Sequence, residues 1–258
     1  MSVERVARNR ATRFREEHEL GNAPLGDLFE LGLTTLGIDV FSRAVAEEEH
    51  GLTISGRDGR KAIIVAATPH YMRQRSNIAH EFGHLLADDL QTPDRIQPGV
   101  RTRAETQADA FARHLLLPIA AVSGEGVPTT RELSDLVQRF EVSPRMAAIQ
   151  LCEAKQIDEA TKKEWSTYSA RTLATRFGWL DRYNELSATS KLERAPQRLV
   201  ARAIEGYLAG ALSIHEVAQW YGKPATEIIG EVGEPASDPD ADDPWEPAAP
   251  PPKRDTSV

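Results

Sequence analysis

Apolar residues recur at helical spacing over most of this chain, and three short stretches depart from that spacing. Gly37-Ile38-Asp39-Val40-Phe41-Ser42, Leu52-Thr53-Ile54-Ser55 and Ala62-Ile63-Ile64-Val65-Ala66 read as short strands. Arg57-Asp58-Gly59-Arg60, between the last two, carries the Asp-Gly pair that favours a tight hairpin turn. Together they predict a small antiparallel sheet with residues 62–66 as a candidate edge. Upstream, Arg15-Glu16-Glu17-His18 mixes charges in the manner of an exposed helix. A second helix is predicted from Pro24, with Leu25, Leu28, Phe29 and Leu36 facing inward.

From residue 76 the pattern is helical almost to the end. Ser76 or Asn77 is positioned to cap a helix through Ile78, Phe82, Leu85 and Leu86. A loop with Pro93, Pro98 and Gly99 separates it from a helix over Ala104–Leu117, which Pro118 ends. Thr129-Thr130-Arg131-Glu132 has the form of a capping box, and Ser143-Pro144 opens a further helix. The aromatic-rich group at roughly 165–230 is helical as well. Residues 1–160, 161–230 and 231–258 are therefore expected to be an α+β domain, a helical C-terminal module and a tail.

Charge sharpens that division. The formal net charge of the 258 residues is -8, and the tail holds eight acidic residues against two basic ones. It also holds seven of the sixteen prolines, so it has little apolar surface to offset the entropy of ordering and is expected to be disordered. Its acidity opposes nucleic-acid binding. No run approaches the roughly 18 apolar residues of a membrane span, and the N-terminal residues lack the apolar core of a secretory signal. The single cysteine, Cys152, cannot form a disulfide framework; a reducing, cytoplasmic setting is expected.

One constellation carries chemistry. His80-Glu81-Phe82-Gly83-His84 is an H-E-x-x-H motif in a helical segment. At about 100° per residue the two histidines stand about 40° apart, one turn above the other, where a single tetrahedral zinc can accept both. Glu81 projects beside them, within reach of a water on the metal. Such a site needs a third protein ligand, and Glu105 and Asp109 flank the apolar stripe of the next helix at i and i+4. Glu105 is the candidate third ligand. Asp109 is the candidate acceptor for the remaining N–H of a metal-bound histidine.

These two segments, with Leu115-Leu116-Leu117-Pro118 closing the second, resemble the ImmA/IrrE metallopeptidases over about residues 20–155. The resemblance implies a zincin-like core, a small sheet over an active-site helix. It implies a zinc endopeptidase whose substrates are helix-turn-helix repressors, cut to release mobile-element or stress-response genes. Members commonly carry asparagine where this chain has Asp109.

On that reading His80, His84 and Glu105 hold zinc and Glu81 is the general base. Strand 62–66 is the expected edge for an extended substrate. His70, Tyr71, Arg113 and His114 are open candidates for an oxyanion donor, with His114 read as a surface residue. Ser213–Pro224 resembles the first helix and turn of a helix-turn-helix, but Ala225-Thr226-Glu227-Ile228-Ile229 supplies no base-reading or phosphate-binding cation, so direct DNA binding is not expected. The alternative is a regulatory module that binds a repressor without cutting it, its metal site structural or vestigial.

Overall fold

In the computed structural model, which describes residues 2–44, 51–56, 59–88, 102–124 and 126–235, Ala7, Ala11 and Phe14 share a buried face of helix α1 (Val3–Glu17). That face packs on helix α4 (Arg103–Leu116), so the helix expected to be exposed is half core. Arg15, one of the charged residues that suggested exposure, is itself buried. Its Nε donates to the carbonyl of Leu115 at 2.8 Å, and Nη1 donates to those of Gly21 and Ala23. A carbonyl in the last turn of a helix has no partner within that helix, and a cation complements the dipole there. Burial draws the Arg15 guanidinium down to about 10, which still leaves it charged at neutral pH.

Helix α2 (Leu28–Leu36) starts four residues later than the sequence suggests, because Asp27 caps it by accepting the N–H of Phe29. The sheet is mixed and not antiparallel. Its order is β1-β3-β2, with β1 (Asp39–Arg43) parallel to β3 (Lys61–Ala66) and β2 (Gly51–Ser55) antiparallel to it. Residues 62–66 therefore lie in the centre, not at an edge. Alternation specifies which face of a strand is buried, but not its neighbours or their direction. Ile63 and Val65, at 0% and 1% exposure, fit that central place. The outer edge of β1 is covered where Ser42 and Arg194 exchange backbone hydrogen bonds. Among the described residues, β2 is left as the free edge. Asp58 of the expected hairpin turn lies outside the described residues, while Gly59 takes a positive φ of 77°.

Helix α3 (Tyr71–Ala87) begins five residues before Ser76. Its first turns were hidden from a hydrophobic reading because they bury polar side chains. Gln74 donates to the carbonyls of Ala66 and Ser190, and Arg75 donates to those of Leu25 and Gly26. Helices α5 (Ile119–Val122), α6 (Thr130–Phe140) and α7 (Pro144–Glu153) follow α4, with the Thr129–Glu132 capping box formed and Ser143 capping α7.

Helices α8 (Glu159–Trp165), α9 (Ala170–Phe177) and α10 (Leu180–Ser190), which fall almost wholly in the expected C-terminal module, belong to the first core. Trp165, Leu173 and Trp179 share a buried cluster with Phe82, Phe111 and Phe140, and the indole N–H of Trp179 donates to Ser134 Oγ at 2.9 Å. The first compact unit is therefore Met1–Pro196, and the second is Gln197–Val258. In the second, α11 (Gln197–Leu208), α12 (Ile214–Tyr221) and α13 (Ala225–Val232) enclose Tyr207, Ile214, Val217, Ala218 and Ile228. The expected Ser213–Glu216 capping box is present, and α13 carries no lysine or arginine. Most of the acidic tail, 236–258, and the loop prolines Pro93 and Pro98 lie outside the described residues. No described helix is long and apolar enough to cross a membrane.

Candidate metal centre

Helix α3 stacks His80 and His84 one turn apart, and their Nε2 atoms approach to 3.0 Å. Helix α4 brings Glu105 against both: Oε2 lies 3.2 Å from His80 Nε2 and Oε1 lies 3.4 Å from His84 Nε2. A tetrahedral zinc with bonds of about 2.0–2.1 Å holds its ligands about 3.3–3.4 Å apart. The two imidazoles stand somewhat closer than that and meet different oxygens of Glu105, but one donor atom from each residue lies within 4.8 Å of the others, so the three could hold one ion, and a two-imidazole, one-carboxylate set suits a metal with a position left open.

The close approach of α3 and α4 has a local cause. A Cβ added to Gly83 would stand 3.0 Å from the Cα of Ala108 and 3.2 Å from the ring of Phe111. Glycine inside the motif and alanine opposite it let the two backbones come near enough for one carboxylate to span both histidines. Thr102 caps α4 by accepting the N–H of Glu105, which places that carboxylate in the first turn, where the helix dipole favours negative charge.

Asp109 Oδ1 lies 2.8 Å from Nδ1 of His80. This contact assigns the proton of His80 to Nδ1 and turns Nε2 toward Glu105 and His84. Burial alone would lower the pKa of His80. The bonds to Asp109 and Glu105, with the charges of Asp109 and Glu81, outweigh it and push the value up to about 9. Hydrogen bonding by His80 is in turn the main cause that holds Glu105 below the ordinary carboxylate range. Acids around two histidines in this way could hold a cation, with a metal taking the place of the shared proton. Asp109→Ala is expected to weaken metal binding about ten- to a hundredfold without unfolding the chain, measured by competition with a chromophoric chelator.

Glu81 is 8% exposed and faces the sheet. Its Oε2 accepts a hydrogen bond of 2.7 Å from the hydroxyl of Thr53 on β2. The neighbouring Gly51 leaves room for the carboxylate, since a Cβ there would stand 3.4 Å from both Cγ and Oε1 of Glu81. Neither residue is signalled by the sequence around it. Only the register of β2 on β3 brings a residue 28 positions upstream onto the motif helix.

Three of the four open oxyanion candidates are engaged elsewhere, and the fourth is distant. His70 stands at the N-cap position of α3, with no capping bond from its side chain, ten residues and about 15 Å along the axis from His80. The Tyr71 hydroxyl donates to Glu141, and its pKa is pushed up to about 12, chiefly by burial. Arg113 donates to Gln150 and pairs with Glu4.

His114 is buried, contrary to expectation, between Glu4 of α1 and Gln150 of α7. The side of α4 that looked solvent-facing is covered by those two helices. Glu4 is held down at about 2, first by its bond from His114; burial opposes this, and Arg113 adds to it. A carboxylate depressed in the folded state contributes stability above its ordinary value of 4.5 and loses that contribution as pH falls toward 2. Melting temperatures should therefore fall more steeply through this window in the wild type than in Glu4→Gln, followed by circular dichroism.

Residues 33–152 match the family model of the M78 peptidases, described as the IrrE N-terminal-like domain. Over these residues, just under half of the chain, the sequence is similar to an M78 peptidase domain. The match lies within the span that resembled ImmA/IrrE and takes in the sheet, α3, α4 and the larger part of α7. A search of curated proteins returns no match. The M78 assignment gives the chain a metallopeptidase-like function in general terms, and the His80–His84–Glu105 group is where the domain could hold its metal. Helix α1 and helices α8–α10 lie outside the matched span yet complete its core.

Proposed function

We propose that the protein is a zinc-dependent endopeptidase that hydrolyses a peptide bond in a protein, and that this protein is a helix-turn-helix repressor in the cytoplasm. The observation that carries the reading is the convergence of three metal-ligating side chains, His80, His84 and Glu105, with a nearby carboxylate, Glu81, that is absent from the ligand set. A purely structural metal gains nothing from such a base or from an open position. The repressor as substrate follows from the ImmA/IrrE resemblance.

Zinc, when bound, supplies Lewis acidity, which makes water a nucleophile near neutral pH and polarises a carbonyl. Glu81 takes a proton from the attacking water and passes it to the leaving amine. Thr53 occupies Oε2, which leaves Oε1 as the oxygen without a donor among the described residues. Asp109 keeps the proton of His80 on Nδ1. An extended substrate adds to the free edge of β2, in place of the strand at 62–66 that the sequence suggested.

The test compares new protein N-termini in cells expressing the wild type and Glu81→Gln at equal levels. New termini seen only with the wild type, concentrated in one DNA-binding regulator, are the expected result. Equal sets of termini, with the biological effect intact in Glu81→Gln, would give the chain to the non-cutting regulatory module.

A further inference from the structure

We infer that Thr53 is a positioning residue for the general base, and that the strand which receives the substrate is the one that sets Glu81 for reaction. The inference rests on the peptidase reading and deepens it. In the register of β2 on β3, Thr53 lies opposite Ile63 and Gly51 opposite Val65. Ile63 and Val65 are the buried positions of β3, so Thr53 and Gly51 share the face of the sheet that packs on α3. Leu52 and Ile54 point the other way, each 43% exposed.

Thr53 therefore spans two structures. Its side chain donates to Glu81 Oε2 at 2.7 Å, and its backbone belongs to the strand that is outermost among the described residues. A carboxylate on a helix has rotational freedom about its side-chain bonds. One fixed donor at Oε2 removes much of that freedom and directs Oε1 to a single place. An unpaired edge strand is held on one side only, so β2 is steadied when an extended peptide adds to its outer edge. Docking then fixes the backbone that carries the hydroxyl, and the hydroxyl fixes the base. The base is best ordered when a substrate is present, which restrains a site that would otherwise hydrolyse without selection.

The test uses the full chain with its metal, in the same cells, and reads the abundance of new N-termini that depend on Glu81. Thr53→Val keeps the shape of threonine and suits a strand, but removes the donor; Thr53→Ser keeps the donor, and Thr53→Ala is a second hydroxyl-free variant that adds no bulk. The expected result is a loss of about ten- to a hundredfold in Thr53→Val and Thr53→Ala, recovery in Thr53→Ser, and one zinc per chain throughout. Melting temperatures of the purified variants identify any that fail to fold. Wild-type cleavage by a folded Thr53→Val, or a loss in Thr53→Ser equal to that in Thr53→Val, would overturn the inference while leaving the peptidase reading intact. If Glu81→Gln produced the same termini as the wild type, the reading itself would fail, and the inference with it.

Discussion

Glu81→Gln is expected to lower cleavage by about a hundred- to ten-thousandfold while the protein keeps its metal. The two halves of that result come from different atoms. On the proposed reading metal affinity resides in the Nε2 atoms of His80 and His84 and the carboxylate of Glu105, none of which the substitution alters. Glutamine has almost the volume of glutamate and can still accept from the Thr53 hydroxyl through its amide oxygen, so the packing of α3 on β2 survives. It lacks only the ability to take a proton. Zinc per chain by elemental analysis and cleavage by new N-termini measure the two halves separately. Full zinc with cleavage lost identifies Glu81 as the base. Loss of both would mean that Glu81 is itself needed to form the metal group.

The second large effect is expected at Glu105. Removing an outer partner of a ligand costs about ten- to a hundredfold in affinity, so removing a ligand must cost more. Glu105→Ala should therefore weaken zinc binding by more than about a hundredfold and abolish cleavage with it. The two imidazoles would remain, but a pair of neutral donors carries no charge to offset that of a divalent ion. The exposed Thr106, next to Glu105 in the same turn, is the natural control for helix stability. Competition against a chromophoric chelator reads the change directly. Undiminished affinity in Glu105→Ala would remove that residue from the ligand set and with it the reading of a catalytic centre.

How much of this could be seen in the sequence follows from the range over which each signal acts. H-E-x-x-H is local: the pitch of a helix is enough to stack His80 on His84 and to set Glu81 beside them. Glu105 and Asp109 needed one further step, because they border an apolar face of the next helix, and the structure brings both against the histidines. Thr53 was out of reach, since its role depends on strand register. His114 was misread for a related reason. Its side of α4 is polar, but α1 and α7 supply polar partners, Glu4 and Gln150, and a polar side chain with partners is stable in the interior. The early start of α3 escaped notice in the same way, because Gln74 and Arg75 face inward against backbone carbonyls. The strands were recognised and their arrangement was not, because alternation describes a strand by itself while parallel pairing of β1 with β3 is a property of two.

The guanidinium of Arg15 on the last turn of α4 has a consequence for where this chain can be divided. The span that identifies the family begins at residue 33, yet Ala7, Ala11 and Phe14 fill a groove on the helix that carries Glu105. A fragment trimmed to the recognisable motifs would present that groove to water and leave a carbonyl near the end of α4 without its cation. Trp179, beyond the other limit, plays the corresponding part against Ser134. The inheritable unit of this fold is therefore larger than its signature. Recombination that exchanges domains at the borders of the motif would tend to yield chains that carry every ligand and still do not fold.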